Sequence, residues 1–343
     1  MTKRVTIKDI AKECGVSITT VSRILNKKPG CCTPETEKRV MEAVERAHYR
    51  PNPAARSLVT KETNIIGVIL PDIYNYFFQE FFKGAEDYLG KKGYKLILCN
   101  TDGKAKKENE FLESLTQGMV DGIMITTGNC SENNDYIVKL SEGGFPIVTV
   151  ERYGDDLEQI PGVLFDNKKA MCMAVRRLYE YGHRRIAFIT GPANAANAVL
   201  RLEGYKQGLK EAGIKYEKAL VCAGDYQMTS GYKSIKKLIF EQEFTAVIAS
   251  NDQMAVGACK AIRDSGKSVP DDISVIGFDG TMLAELYQPA LYTIELHGYD
   301  MGKVSAENLL KLIKGKEAGE KKVIFEPVIK EGSSIRDITD MTL

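Results

Sequence analysis

Two rhythms of apolar residues divide the chain near residue 60. Before it, apolar positions recur at helical spacing. In IKDIAKEC, Ile7, Ile10 and Ala11 share a face, and Asp9 follows Thr6 by three residues, where the acid of a capping box belongs. Gly15 breaks that helix. Ser17 can cap a second, SITTVSRILN, with Val21, Ile24 and Leu25 inward. Pro29 and Gly30 mark a loop. Thr33 and Pro34 then open a third helix, PETEKRVMEAVERAHY, with Val40, Val44 and Ala47 inward. Pro51 and Pro53 stop it. The segment PNPAARSLVTKET reads as a linker with one or two helical turns, too short to hold without a partner.

From residue 64 short apolar strands alternate with amphipathic helices. IIGVIL, KLILC, DGIMIT, PIVTV, GVLF, RIAFIT, TAVIAS and ISVIGFD are the clear strands, with a weaker one near 219–222. Between them lie helical stretches such as FFQEFFKGAEDYLGKKG, NKKAMCMAVRRLYEYG and NDQMAVGACKAIRDSG. Repeated β–α units predict an α/β fold of doubly wound parallel sheets, and their number exceeds one sheet, so two lobes are expected. Ligands of such sheets bind beyond the carboxyl ends of the strands. Polar groups gather there: Asp72 after IIGVIL, Glu151-Arg152 after PIVTV, Asn251-Asp252 after TAVIAS, and Asp279 after ISVIGF.

Charge sharpens the division. Net charge is +1 over 343 residues, but residues 1–61 carry 13 Lys/Arg against 6 Asp/Glu, leaving 34 against 40 for the remainder. A head at +7 on a body at −6 is the footprint expected of a DNA-binding head, and charge alone leaves a basic solvated tail as the alternative. No run of about 18 apolar residues exists to span a membrane. MTKRVTIKDI has no apolar secretory region, so a cytoplasmic location is expected. The eight cysteines form no C-x-x-C pair and read as thiols. The three histidines (His48, His183 and His297) lie far apart, so no metal and no cofactor is expected. G-x-G-x-x-G, the P-loop pattern and G-x-S-x-G are all absent, which argues against an enzyme.

Val5 to Asn26 holds the strongest motif. Two short helices about a glycine turn make a helix-turn-helix. Thr6 at its start, and Ser17, Ile18, Thr19, Thr20, Ser22, Arg23 and Asn26 along the second helix, are the candidate DNA contacts. Hydroxyls can reach phosphates and base edges, Ile18 a thymine methyl, and Arg23 guanine or a phosphate. VTIKDIAKECGVSITTVSRILN and YRPNPAARSL resemble the lactose/galactose repressor family of bacterial regulators. The resemblance continues through IIGVILPDIYNYFFQEFFKGAE, GHRRIAFITGP, NDQMAVGACKAI and VPDDISVIGFDG, almost the whole chain.

That resemblance implies a homodimer on a pseudo-palindromic operator, with one reading helix per half-site. It implies a hinge in which Asn52, Arg56 and Leu58 meet DNA, the leucine wedging into the minor groove. The implied domains are a head-piece (1–50), a hinge (51–62), an N-terminal lobe (63–162 and 293–323) and a C-terminal lobe (163–292 and 324–343), the lobes resembling periplasmic sugar-binding proteins. A small-molecule effector is expected between them, against Asp72, Phe77, Phe78, Glu151, Asn197, Arg201, Tyr226, Asn251 and Asp279. Carboxylates, amides and a guanidinium suit vicinal hydroxyls, and aromatics suit sugar C–H faces.

Local alternatives stay open. Phe77 or Phe78 can be core, Asp279 can cap a helix, and Arg201 can pair with Glu203. Glu295, His297 and Gly298 stand where many relatives carry Gln-Pro, and Ala195 and Ala196 stand before the arginine where relatives often have Ser or Arg. The lean is towards a neutral sugar, with a purine or nucleoside, or a protein corepressor, as the alternatives. A sugar-binding protein or enzyme without a DNA role stands further off.

Overall fold

The computed structural model describes residues 5–26, 30, 32–50, 62–127, 134–151 and 155–341. The chain divides into two compact units at Thr63/Asn64.

The first unit contains helices α1 (Ile7–Glu13), α2 (Ile18–Leu25) and α3 (Pro34–Arg46). Asp9 Oδ2 accepts from the Thr6 backbone N–H (2.9 Å) and hydroxyl (2.7 Å), tying the start of α1. Ser17 Oγ accepts from Thr20 N–H at 3.0 Å and caps α2. The three helices bury Ile10, Ala11, Cys14, Val21, Ile24, Val40 and Ala43 together. Val44 and Ala47 are only half-buried at the rim of this core. The third helix ends earlier than its pattern predicts, because His48 turns to a φ of 45° and Tyr49 N–H closes the end on Val44 C=O. Asn52, Arg56 and Leu58 lie outside the described residues.

The second unit carries two six-stranded sheets. Its elements, in chain order, are β1 (Ile65–Leu70), α4 (Tyr76–Gly90), β2 (Lys95–Asn100), α5 (Ala105–Thr116), β3 (Gly122–Ile125), α6 (Asp135–Glu142), β4 (Ile147–Val150) and β5 (Gly162–Phe165). Then follow α7 (Asn167–Glu180), β6 (Ile186–Ile189), α8 (Ala196–Glu211), β7 (Val221–Cys222), α9 (Met228–Glu241), β8 (Ala246–Ala249), α10 (Asp252–Arg263) and β9 (Ser274–Asp279). The unit closes with α11 (Met282–Leu286), β10 (Tyr292–Glu295), α12 (Gly298–Ile313), β11 (Lys322–Phe325) and β12 (Val328–Lys330).

One sheet has the order β11-β5-β4-β3-β1-β2 and is parallel throughout. The other runs β12-β10-β9-β8-β6-β7, with only β12 antiparallel. Both sheets reverse their winding beside their first strand, at β1/β3 and at β6/β8, where doubly wound sheets open a crevice. Strands β3, β4, β5, β6, β8 and β9 are buried along their whole length, as expected for parallel strands covered on both faces.

Strand pairing corrects the expected lobe boundaries. GVLF, assigned from Val163 to the second lobe, pairs with β4 and β11 in the first sheet. The stretch from Thr293, assigned to the first lobe, pairs with β9 in the second. The crossovers therefore follow Phe165, Glu295 and Phe325. Backbone pairing decides sheet membership, and an apolar run of four residues carries no mark of its partner.

Candidate functional site

On the first unit, α2 presents a polar face. Ser17, Thr19, Arg23 and Asn26 are exposed, Thr20 and Ser22 half-buried. Ile18 stands 43% exposed, although its neighbours Val21 and Ile24 are buried. An apolar side chain on this exposed face is free to pack on an apolar surface such as a thymine methyl. Asn26 Nδ2 donates to Ser22 C=O at 2.8 Å, so its amide is held on the helix. Thr6, at the entrance to α1, is exposed with its hydroxyl on Asp9.

In the second unit, the strand ends of both sheets converge. Phe77, Phe78, Glu151, Asn197, Arg201, Tyr226 and Asp279 line one small cavity together with Asn75 and Leu296. Its volume is about 10 Å³, close to one water. Both phenylalanines are buried in the core and also wall the cavity.

A hydrogen-bonded chain joins the lobes here. Glu151 Oε1, at the end of β4, accepts from Asn197 Nδ2 (2.7 Å) and Arg201 (3.2 Å) on α8. Asn197 Oδ1 accepts from the Tyr226 hydroxyl at 2.9 Å. Arg201 also donates through Nε to Asn167 Oδ1 (2.7 Å) and through Nη1 to Ser250 C=O. Its guanidinium lies 3.7 Å from the Phe278 ring centre. A planar cation suits both that stack and the forked bonds. Glu203, the alternative partner, pairs instead with Lys168 at 3.7 Å.

Asp279 does not cap a helix. It is the last residue of β9 and accepts from Asn75 Nδ2 across the cleft at 3.3 Å. Burial raises its pKa well above the carboxylate range, with Asp252 and Glu151 adding to the rise and Arg201 opposing it. Asp252 sits just behind, at the start of α10. It accepts from the Thr281 N–H and hydroxyl, both at 2.8 Å, and from the Thr293 hydroxyl at 2.6 Å. Burial pushes its pKa up to about 6 against those bonds.

Backbone strain collects at the same place. Glu151 (φ 60°), Tyr226 (φ 68°) and Asp279 (φ 114°) are all in the left-handed region. Each costs on the order of 1–3 kcal/mol and persists only where its surroundings enforce it. Two glycines make room: a Cβ at Gly191 would stand 2.3 Å from the Tyr226 ring, and one at Gly277 would stand 2.3 Å from Asp252 Oδ1.

Asn251 was expected in this group but lines no part of the cavity. Its Oδ1 caps α10 through Met254 N–H (2.9 Å) and its Nδ2 holds Tyr226 C=O (2.8 Å), so it fixes Tyr226 from behind. Asp72 lies further out. It borders a second, larger space of about 440 Å³ with Tyr74, Asn75, Phe78, Asp102, Asn194, Asp225, Tyr226 and Gln227. Gln227 Nε2 donates to Asp72 Oδ2 at 2.7 Å, and Gln253 Nε2 to Tyr74 C=O at 2.9 Å, so this outer chamber is also bridged between the lobes.

Sequence reasoning missed Asn75, Leu296 and Gln227. Asn75 carried a usable signal, as an amide one residue before the helix that follows the first strand, and its Oδ1 indeed accepts from Phe77 N–H at 2.9 Å. Among the described residues, no group of three His, Cys, Asp or Glu is placed to hold a metal. Nor is any helix among them long and apolar enough to cross a membrane.

Known proteins are similar to both parts of the chain. The family model described as bacterial regulatory proteins, lacI family, matches residues 6–52. That described as periplasmic binding proteins and sugar binding domain of LacI family matches residues 63–331. Catabolite control protein A of Priestia megaterium is 37% identical over 94% of this chain and 96% of its own length. The HTH-type transcriptional repressor PurR of Aliivibrio fischeri is 35% identical over 96% and 98%. The structure of the lac repressor dimer bound to operator and the anti-inducer ONPF superposes with a TM-score of 0.86, at 26% identity, over 97% of this chain and 100% of that one. A helix-turn-helix head followed by two α/β lobes around a polar cleft, matched along both parts, places the chain in the LacI family of bacterial regulatory proteins.

Proposed function

We propose that this regulator binds a pseudo-palindromic operator as a homodimer in the cytoplasm, and that a neutral sugar in the cleft, with no other cofactor, changes its operator affinity. The observation that carries the DNA half is the exposed Ile18 between hydroxyls and Arg23 on a head of charge +7. The two lobes change their relative angle when the cleft is occupied, and the segment 51–62 transmits the change through Asn52, Arg56 and Leu58. Ligand and operator then alter each other's affinity by the same factor.

The sugar half rests on the chemistry of the cleft. Carboxylates and amides alternate with Phe78, Tyr74 and Tyr226, and neither space has a lysine among its described lining residues. Arg201, the guanidinium among the described lining residues, already donates to Asn167, Ser250 and Glu151. Among the described lining residues, an anionic ligand would find no cation without a protein acceptor. A purine, the reading raised by the PurR relative, is the second arm of the test.

The test is operator selection from random DNA with the full chain, followed by affinity at fixed salt with and without neutral sugars and nucleobases. A sugar that shifts affinity at least tenfold supports the reading. A shift by nucleobases alone replaces the sugar, and no selected sequence at all rejects the DNA half. Leu58→Ala should weaken operator binding far more than nonspecific binding, because only a kinked site uses a wedge. Equal losses in a gel-shift series would remove Leu58 from that role.

A further inference from the structure

We infer that the effector is a disaccharide, with one ring in the deep cleft beside Arg201 and Asp279 and the second in the outer chamber among Asp72, Tyr74, Asp225 and Gln227. This rests on the sugar reading above and sets the size of the sugar. The two spaces are continuous: Asn75, Phe78 and Tyr226 wall both of them. A substituent that leaves a ring in the deep cleft past these three walls enters the chamber. At about 440 Å³ the chamber falls in the range of small-molecule sites.

The walls of the chamber fit a second sugar better than an apolar group. Polar side chains reach it from both lobes, Asp72 from the first and Asn194, Asp225 and Gln227 from the second. Each of the two acids is oriented by its own turn. Asp72 Oδ1 accepts from Tyr74 N–H and Asp225 Oδ1 from Gln227 N–H, both at 2.8 Å. The other oxygen of Asp72 takes the Gln227 amide at 2.7 Å, and that of Asp225 has no bond among the described residues. Sugar hydroxyls donate to such oxygens and accept from the amides. An apolar group would strip water from both acids without replacing its hydrogen bonds, which is costly. Tyr74 adds an aromatic face. Its ring is 71% exposed, while its backbone C=O is tethered to Gln253 of the other lobe at 2.9 Å. An exposed ring on a tethered backbone suits the C–H face of a pyranose. A second sugar that takes over the Asp72–Gln227 bond also links the length of the ligand to the closure of the lobes.

The test is calorimetric titration of the full chain with glucose, galactose and ribose, with maltose, cellobiose and lactose, and with phenyl glycosides of the same sugars. One disaccharide is expected to bind roughly tenfold or more tighter than its constituent monosaccharides and their phenyl glycosides. A monosaccharide that binds as tightly as every disaccharide overturns the inference and leaves the sugar reading standing. A phenyl glycoside that matches the best disaccharide overturns the second sugar. Binding by none of them rejects the sugar reading, and this inference with it. Two variants then locate the second ring. Tyr74→Ala keeps the backbone C=O that Gln253 holds, and Asp225→Asn keeps an acceptor for Gln227 N–H. Each should weaken the disaccharide roughly tenfold more than the monosaccharide. Equal losses on both ligands would make these residues supports of the fold and overturn their place around a second ring.

Discussion

The two functional surfaces of this chain are held in opposite ways. On α2 the side-chain bonds are local, Ser17 to Thr20 and Asn26 to Ser22, and Ser17, Ile18, Thr19, Arg23 and Asn26, all expected to meet DNA, stand in water. In the cleft the bonds span the sequence, from Asn75 to Asp279 and from Glu151 to Arg201, and the groups are buried. The difference teaches where function and stability can be separated. A helix face can change its side chains without disturbing the fold beneath. A buried lobe-spanning network cannot, because each member satisfies another's charge or donor.

Arg201→Leu should break the comparison most visibly. It removes the guanidinium that donates to buried Glu151, Asn167 and Ser250. Breaking a buried pair from one side costs about 3–5 kcal/mol. Urea unfolding of the core should register that loss, while the midpoint of the head stays in place. A core change below about 1 kcal/mol would show the network to be loosely coupled.

Acid should separate the units next. His183 is buried, with Nε2 against Arg336 C=O (3.1 Å) and Nδ1 against the Thr245 hydroxyl (2.9 Å). A carbonyl only accepts, so Nε2 carries the proton and Nδ1 accepts from Thr245. Burial lowers its pKa from 6.5 to about 4. The unfolded chain therefore takes the proton first. The stability that neutral His183 contributes is present above pH 6.5 and is lost as pH falls towards 4, up to about 3 kcal/mol. His183→Gln should flatten that part of the core's pH profile. An identical profile in parent and variant would remove His183 as the cause. His48, on the head, is exposed and holds no such position.

Arg23→Ala should sharpen the contrast from the other side. Operator affinity is expected to fall roughly 10- to 100-fold, the worth of a good base contact, with the melting temperature unchanged. A fall in stability matching the fall in affinity would mean that Arg23 supports the head rather than reading DNA.

The same contrast explains what the sequence made legible. Helix caps at Thr6, Ser17 and Thr33 and the buried strands IIGVIL and ISVIGF are local or strongly periodic, and each is where its pattern placed it. The strands over 322–325 and 328–330 were not visible, because edge strands that are half-exposed carry little apolar signal. Lobe membership was misplaced at 163 and 293 because pairing is a long-range property. Strand ends pointed to Glu151 and Asp279. They did not show that Glu151 would reach α8 or that Asn251 would turn its amide away, since both follow from side-chain direction rather than position.

Ser17 is the place where the two kinds of surface meet, since one oxygen both caps α2 and faces outward. Ser17→Ala removes the acceptor for Thr20 N–H and should cost the head about 1 kcal/mol. Ser17→Asp keeps an acceptor, and its charge suits a helix N-terminus, so the head should retain its stability. The same carboxylate would oppose a DNA phosphate. Affinity should therefore drop for both variants but stability only for alanine, as read by thermal melts and by anisotropy at fixed salt. If the aspartate variant binds operator as tightly as the parent, Ser17 caps the helix and does not approach the backbone of DNA.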